Sequence, residues 1–180
     1  MQAIEYSYLR RECHAVRIPE GTAALLSSGT RVRITQALGG SYTVATERGH
    51  LFRIGAQDAD ALGKTPGEIL LETAGDSLED RVWAVMRTCY DPEIPINIVD
   101  LGLIYSCEIL EDKRDEDRRV EIKMTLTAPG CGMGPILAQE VKERVASLPG
   151  VEQADVEVVF DPPWDQNMMS EAARLELGLF

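Results

Sequence analysis

The chain has 180 residues, 44% of them hydrophobic and 27% charged, so it can bury a core and is not disordered by composition. Its formal net charge of −12 argues against a general nucleic-acid binder and against adsorption to anionic lipid, because both need a basic surface. No apolar run approaches the roughly 20 residues of a membrane span, and the N-terminus lacks the pattern of a secretory signal. We therefore expect a soluble, cytoplasmic protein.

The acidic excess lies in one part of the chain. Residues 1–75 hold 8 basic and 8 acidic side chains, whereas residues 76–180 hold 10 basic and 22 acidic ones. A connector that contains Pro, Gly and Ser lies at the change. We therefore predict two domains, a small β-rich domain over 1–75 and an α+β domain over 76–180.

Short strands and turns fill the first part. RVRITQAL (31–38) and SYTVAT (41–46) alternate apolar and polar residues on either side of Gly39-Gly40, which predicts a hairpin. LFRI (51–54) follows after a second turn. The pattern indicates a small antiparallel meander or barrel without a visible catalytic constellation, for which binding or docking is the neutral role.

Helices and strands alternate in the second part. Ser77 with Asp80 three residues later predicts a helix start, and helical spacing of apolar residues continues to a stop at Asp91-Pro92. A strand, a strand, a helix, a strand and a helix are predicted next, over 101–109, 120–128, 135–148, 156–160 and 169–177. This order, α-β-β-α-β-α, indicates a compact α+β domain with a small three-stranded sheet.

Cys131 is the residue that most suggests chemistry. It lies in the loop PGCGMG between a strand end and a helix start, where flexible glycines and a helix N-terminus favour a thiolate. From the residues alone, a reactive thiol and an ordinary loop cysteine are equal alternatives. Cys89 and Cys107 fall on apolar stripes and are predicted to be packed thiols, and Cys13 is predicted to be structural.

Oxygen-bearing side chains supply the other candidates. Asp91 and Glu93 could act as acid and base or hold a hard cation, although the residues alone favour a mere helix stop at Asp91. Asp100 interrupts an apolar run, so it points to solvent or needs a buried partner. Thr127 could face the loop or the solvent. Trp164 is predicted to pack rather than to stack on a ligand.

Three blocks of the sequence together resemble one known family. The blocks are DPEIPINIVDLGLIY, MTLTAPGCGMGP and VFDPPWDQNMMSEAARLELG. They resemble the iron–sulfur cluster assembly (metal–sulfur cluster biosynthesis) domain over residues 76–180, and the N-terminal half is similar to the extra region of SufT-type members. The resemblance implies a maturation factor of the SUF system rather than an enzyme.

The resemblance also implies which residues act. The reactive cysteine, the acidic motif, the second aspartate and the threonine before the loop correspond, in that order, to Cys131, Asp91 with Glu93, Asp100 and Thr127. Many members have a second threonine three residues before the cysteine and a proline after it. This chain has Ala128 and Gly132 there, which weakens any mechanism that needs a second hydroxyl.

We therefore expect an accessory factor for iron–sulfur cluster assembly or delivery, whose partners are SUF-type assembly proteins, client apoproteins and, as one option, a second copy of the chain. One thiolate does not hold a cluster, so no tightly bound cofactor is expected, and Cys131 would hold iron or a cluster only transiently. Two alternatives stay open. One is a docking scaffold, and the other is a cysteine-dependent hydrolase or transferase whose base would be His14 or His50.

Overall fold

The computed structural model describes residues 5–65, 77–91, 94–111, 118–130 and 132–179. Its internal contacts divide the chain into two compact units, residues 1–69 with 92–95 and residues 70–91 with 96–180. The predicted domain boundary after residue 75 lies outside the described residues. The prediction of a mixed α+β protein is confirmed. Across the described ranges, no helix has both the length and the hydropathy to cross a bilayer.

A six-stranded antiparallel sheet forms the first unit, in the order β1-β4-β5-β6-β2-β3. Its strands are β1 (Glu5–Tyr8), β2 (Cys13–Ile18), β3 (Ala23–Leu26), β4 (Arg31–Leu38), β5 (Ser41–Thr46) and β6 (Leu51–Ile54). The β4–β5 turn has φ values of 61° at Gly39 and 79° at Gly40, which glycine adopts without strain. The predicted bounds of β4, β5 and β6 agree with the structure residue for residue.

Alternate residues of these strands form the core of the first unit. The core includes Cys13, Ala15, Leu26, Val32, Val44, Phe52 and Ile54. A 3-10 helix over Ala56–Leu62 adds Ala61 and Leu62. Arg11 holds this helix, because its guanidinium donates to Asp58 Oδ1 at 2.9 Å and to the Asp60 carboxylate at 2.6 and 2.8 Å.

The described residues of the second unit form three α-helices and a three-stranded sheet. In chain order they are α1 (Leu78–Met86), β7 (Ile104–Glu111), β8 (Arg118–Met124), α2 (Gly134–Ala146), β9 (Val151–Val158) and α3 (Glu171–Glu176). Strand β8 pairs antiparallel with β7 and parallel with β9. A parallel pair needs a crossover connection, and α2 supplies it. A single turn of 3-10 helix over Gln166–Met168 precedes α3.

The core of the second unit follows the predicted periodicity. On β8, Val120, Ile122 and Met124 are at most 1% exposed. Helix α2, which packs against β9, buries Leu137, Val141 and Val145, which recur at helical spacing.

Helix α1 begins where predicted but ends earlier. Ser77 Oγ accepts the N–H of Asp80 at 3.0 Å and caps the helix, whereas the last helical residue is Met86 and not Asp91. The residues after Met86 leave the helix because Tyr90 pairs with Asn97 in an isolated β-bridge.

All three predicted strands of the second unit are also shifted. The strand predicted over 120–128 covers Arg118–Met124, and the strand predicted over 156–160 begins earlier, at Val151. The strand predicted from Leu101 begins only at Ile104, since Gly102 has a φ of 75° and its N–H donates to Val99 O in a turn. Leu101 is fully buried in that turn, so its apolar pattern marks burial and not a strand. At the other end of the sheet β9 ends at Val158, and Phe160 lies beyond it, 46% exposed.

Candidate functional site

The turn over residues 97–103, here called the Asp100 loop, is organised by Asn97. Its side-chain Oδ1 accepts the N–H groups of Val99 at 3.1 Å and Asp100 at 3.0 Å. Its Nδ2 donates to Asp100 Oδ2 at 2.6 Å. Asn97 thus fixes both the backbone of the loop and the carboxylate of Asp100. The sequence leaves two alternatives for Asp100, which points to solvent or needs a partner. In the structure Asp100 is half-buried and has Asn97 as its hydrogen-bond partner.

The segment after α1 lies alongside the Asp100 loop. Tyr90 bridges to Asn97, and the N–H of Ile98 donates to Cys89 O at 2.9 Å. Asp91, a predicted site residue, directly follows Tyr90 and is partly buried. Backbone pairing therefore brings the segment that carries Asp91 beside the loop that carries Asp100.

The end of β8 flanks the loop from the other direction. The N–H of Thr125 donates to Leu103 O at 2.8 Å, and Thr127 follows two residues later, partly buried. The Thr125 side chain is fully buried, and its Oγ1 has no hydrogen-bond partner among the described residues. The structure thus places the segments that carry Asp91, Asp100 and Thr127 around one loop.

Tyr90 reports on the charge around this loop. Burial raises the pKa of its phenol, and the carboxylates of Glu176 and Asp100 act in the same direction. The tyrosine therefore stays protonated at neutral pH beside the acidic groups. Neither Tyr90 nor Glu176 is a sequence-predicted site residue, because only tertiary packing brings α3 near Tyr90.

The segment after β9, residues 159–179, is held against the Asp100 loop and is here called the C-terminal segment. Trp164 Nε1 donates to Leu101 O at 2.8 Å, and the N–H of Ser170 donates to Asp100 O at 2.8 Å. Gly102 lies directly under the backbone of Met168, where a Cβ would approach the Met168 carbonyl carbon to 2.6 Å. Trp164 therefore packs on the loop, as predicted. Sequence reasoning did not identify Asn97, although Asn is typical of such turns.

Cys131 and Glu93 lie outside the described residues. The residues that flank Cys131 are described: Gly130 has a φ of 79°, and Met133 is the N-terminal cap of the 13-residue helix α2 without a side-chain cap bond. Gly134, the first residue of α2, packs on Leu126 so closely that a Cβ would overlap that side chain. The first turn of α2, whose backbone N–H groups favour anions, is thus fixed against the end of β8.

The three described cysteines are packed thiols. Cys13 and Cys89 are at most 1% exposed, and Cys107 is half-buried. Burial, with a smaller effect of Glu79, raises the pKa of Cys107 to about 11, and burial also raises that of Cys13. These two thiols therefore stay protonated at neutral pH, and a thiol is then a poor nucleophile and a poor metal ligand.

Metal-binding geometry is not preformed in the described part of the chain. Among the residues with described positions, no group of three or more His, Cys, Asp and Glu side chains could hold a metal ion. The carboxylate of Asp100 accepts a hydrogen bond from Asn97 Nδ2.

Known proteins of one family are similar to the second unit. A family of iron–sulfur cluster assembly proteins matches residues 79–158. A Porphyromonas gingivalis protein named Fe-S protein maturation auxiliary factor is 42% identical over 100 residues, which are 56% of this chain and 90% of that protein. The chain belongs to the iron–sulfur cluster assembly protein family. The membership that the three sequence blocks predict is therefore confirmed.

Two further proteins are similar to part of this chain. The Staphylococcus aureus Fe-S protein maturation auxiliary factor SufT is 39% identical over 89 residues, which are 49% of this chain and 96% of that protein. A crystal structure of a domain of unknown function, DUF59, from Bacillus anthracis is 31% identical, covers 61% of this chain and 98% of its own, and superposes with a TM-score of 0.49.

Proposed function

We propose that this protein is an accessory factor that assembles iron–sulfur clusters or delivers them to client apoproteins. The observation that carries the proposal is the near-complete coverage of two maturation auxiliary factors, 90% and 96% of their lengths, at about two residues identical in five. The proposed partners are SUF-type assembly proteins and iron–sulfur clients, and the proposed role is carriage and not catalysis.

The proposed acting group is the thiolate of Cys131. The alternatives within the described chain are poor, since Cys13 and Cys89 are buried and the Cys107 pKa is raised to about 11. Cys131 stands in sequence two residues before the cap of α2, whose first turn carries N–H groups that stabilise a negative charge. In this proposal iron or a cluster is a transient substrate of the thiolate, not a resident cofactor.

One thiolate leaves most of a cluster's coordination to be filled. We propose that a client cysteine or a second copy of the chain fills it, with Asp91, Asp100 and Thr127 as supporting oxygen groups around the same loop. Glu93, which the resemblance pairs with Asp91, is proposed as a further oxygen group. Among these residues, Asp100 has its carboxylate fixed in position by the 2.6 Å hydrogen bond from Asn97 Nδ2. In the same proposal residues 76–180 carry the assembly chemistry and residues 1–75 form a separate β-rich domain.

The deciding experiment measures an iron–sulfur dehydratase in cells that lack this protein, grown under iron limitation. The cells are complemented with the wild type, Cys131→Ala or Cys107→Ala, and a cluster-free enzyme is assayed in parallel. We expect the wild type and Cys107→Ala to restore the dehydratase and Cys131→Ala to fail at equal protein level. Equal rescue by Cys131→Ala would leave a docking scaffold as the function.

A second arm tests the cysteine-dependent hydrolase or transferase. That chemistry needs a base beside the thiol, and the chain offers only His14 and His50 as histidine bases. We expect the double variant His14→Gln/His50→Gln to restore the dehydratase fully. Loss of rescue by this variant, at unchanged protein level, would favour the enzymatic alternative over carriage.

A further inference from the structure

A cavity of about 550 Å³ opens at one end of the six-stranded sheet of the first unit. It lies where β1 and β3 end, at Tyr8 and Leu26, and where β4 begins, at Arg31. Leu26 and Phe52, each 8% exposed and part of the core, form its apolar floor. Tyr8, which is 61% exposed, adds an aromatic wall. The volume is within the range of small-molecule sites.

The rim of this cavity is basic, in contrast to the chain as a whole. Arg31, Arg48 and His50 line it, and Glu47 is the acidic residue beside them. The two arginines and one glutamate give the rim a local positive charge in a chain with a net charge of −12. A low-dielectric floor below a positive rim focuses the field on an anion that enters.

Arg31 is held in place before any ligand arrives. Its guanidinium lies 4.6 Å from the centroid of the Tyr6 ring, and its Nη1 lies 3.7 Å from Glu47 Oε1. A guanidinium has several N–H donors in a fixed plane, so one carboxylate at its edge leaves donors for an anionic ligand. Such positioning reduces the side-chain entropy that binding would cost.

We propose that this cavity binds a small organic anion with an apolar, ring-sized body. The body would lie on Leu26, Phe52 and Tyr8, and the carboxylate, sulfonate or phosphate would be bound by Arg31 and Arg48. An inorganic anion lacks the contact with the floor, and a neutral aromatic compound lacks the contact with the rim. This inference concerns the first unit alone and does not depend on the proposed function in cluster assembly.

A pair of fluorescent dyes tests this proposal on the full chain. The probe 8-anilinonaphthalene-1-sulfonate carries the anion, and N-phenyl-1-naphthylamine has the same rings without it. We expect the sulfonate dye to bind the wild type about tenfold more tightly than the neutral dye. Arg48→Gln should weaken the sulfonate dye by about two- to fivefold, the range of one exposed charge pair, and leave the neutral dye unchanged. Arg33→Gln is the matched control, because Arg33 lies on β4 but does not line the cavity.

Amide chemical shifts locate the bound dye. We expect the largest shift changes from the sulfonate dye at Gly29, Thr30 and Phe52, which line the cavity. The proposal is overturned by equal affinity for the two dyes, by equal weakening in Arg33→Gln and Arg48→Gln, or by shift changes confined to the second unit.

Discussion

Replacement of Gly102 by alanine tests whether the C-terminal segment is fixed on the Asp100 loop. Gly102 has a φ of 75°, and its added Cβ would lie 2.6 Å from the carbonyl carbon of Met168. The left-handed backbone alone costs an alanine about 1–2 kcal/mol. Relief of the overlap requires the C-terminal segment to move, because the contacted atom belongs to the backbone.

The cost of that movement follows from two hydrogen bonds. Trp164 Nε1 to Leu101 O and Ser170 N to Asp100 O, both 2.8 Å, would be lost or lengthened. At about 1 kcal/mol for each bond, the free energy of unfolding of Gly102→Ala should fall by about 3–4 kcal/mol. Gly150→Ala is the matched control, because Gly150 has a φ of 88° and open space around its Cβ position. It should lose only the backbone contribution of about 1–2 kcal/mol.

Tryptophan fluorescence during urea unfolding measures both variants. The two tryptophans of the chain, Trp83 in α1 and Trp164 in the C-terminal segment, both belong to the second unit, so the signal reports on that unit. A difference of about 2 kcal/mol between Gly102→Ala and Gly150→Ala is expected from the two hydrogen bonds. Equal destabilisation by the two substitutions would show that the C-terminal segment moves away from the Asp100 loop without a loss of stability. The reasoning about the Asp100 loop would then be wrong.

Three further predictions concern single groups. Thr125→Val should raise the free energy of unfolding by about 1 kcal/mol in the same urea assay, because it removes a buried hydroxyl without a described partner; a loss of stability would reveal a partner for that hydroxyl. Hydrogen bonds from Arg11 hold the pKa of Asp60 below 3.8, so their stabilisation is present above that pH and lost as the pH falls below it. The protection factor of the Ala61 amide, corrected for the intrinsic pH dependence of exchange, should therefore fall in acid more steeply in the wild type than in Asp60→Asn, and parallel profiles would contradict the pairing. Iodoacetamide at pH 7.5 should modify Cys131 well before Cys107, whose pKa is about 11, in mass-spectrometric time courses; equal rates would argue against a perturbed loop thiol.

The first unit shows which parts of the fold are predictable from local sequence. The bounds of β4, β5 and β6 follow from alternation and from turn glycines, and these signals depend only on neighbours in the chain. The start of α1 is predictable for the same reason, since Ser77 caps a residue three positions away. Its end at Met86 is not, because the segment that follows pairs through Tyr90 with Asn97, seven residues further along.

The sequence by itself determined the family, through three blocks whose order and content resemble iron–sulfur cluster assembly domains, and the comparisons confirm it. It also singled out Asp100 as a residue that needs an explanation. Its partner Asn97 is local, three residues before it, although the sequence patterns did not single it out. Only the tertiary structure decided that Trp164 and Ser170 hold the loop, and that a basic cavity opens at the end of the first sheet. Patterns of neighbouring residues predict burial and turn geometry, whereas the choice of a hydrogen-bond partner some 60 residues away depends on how the whole unit packs.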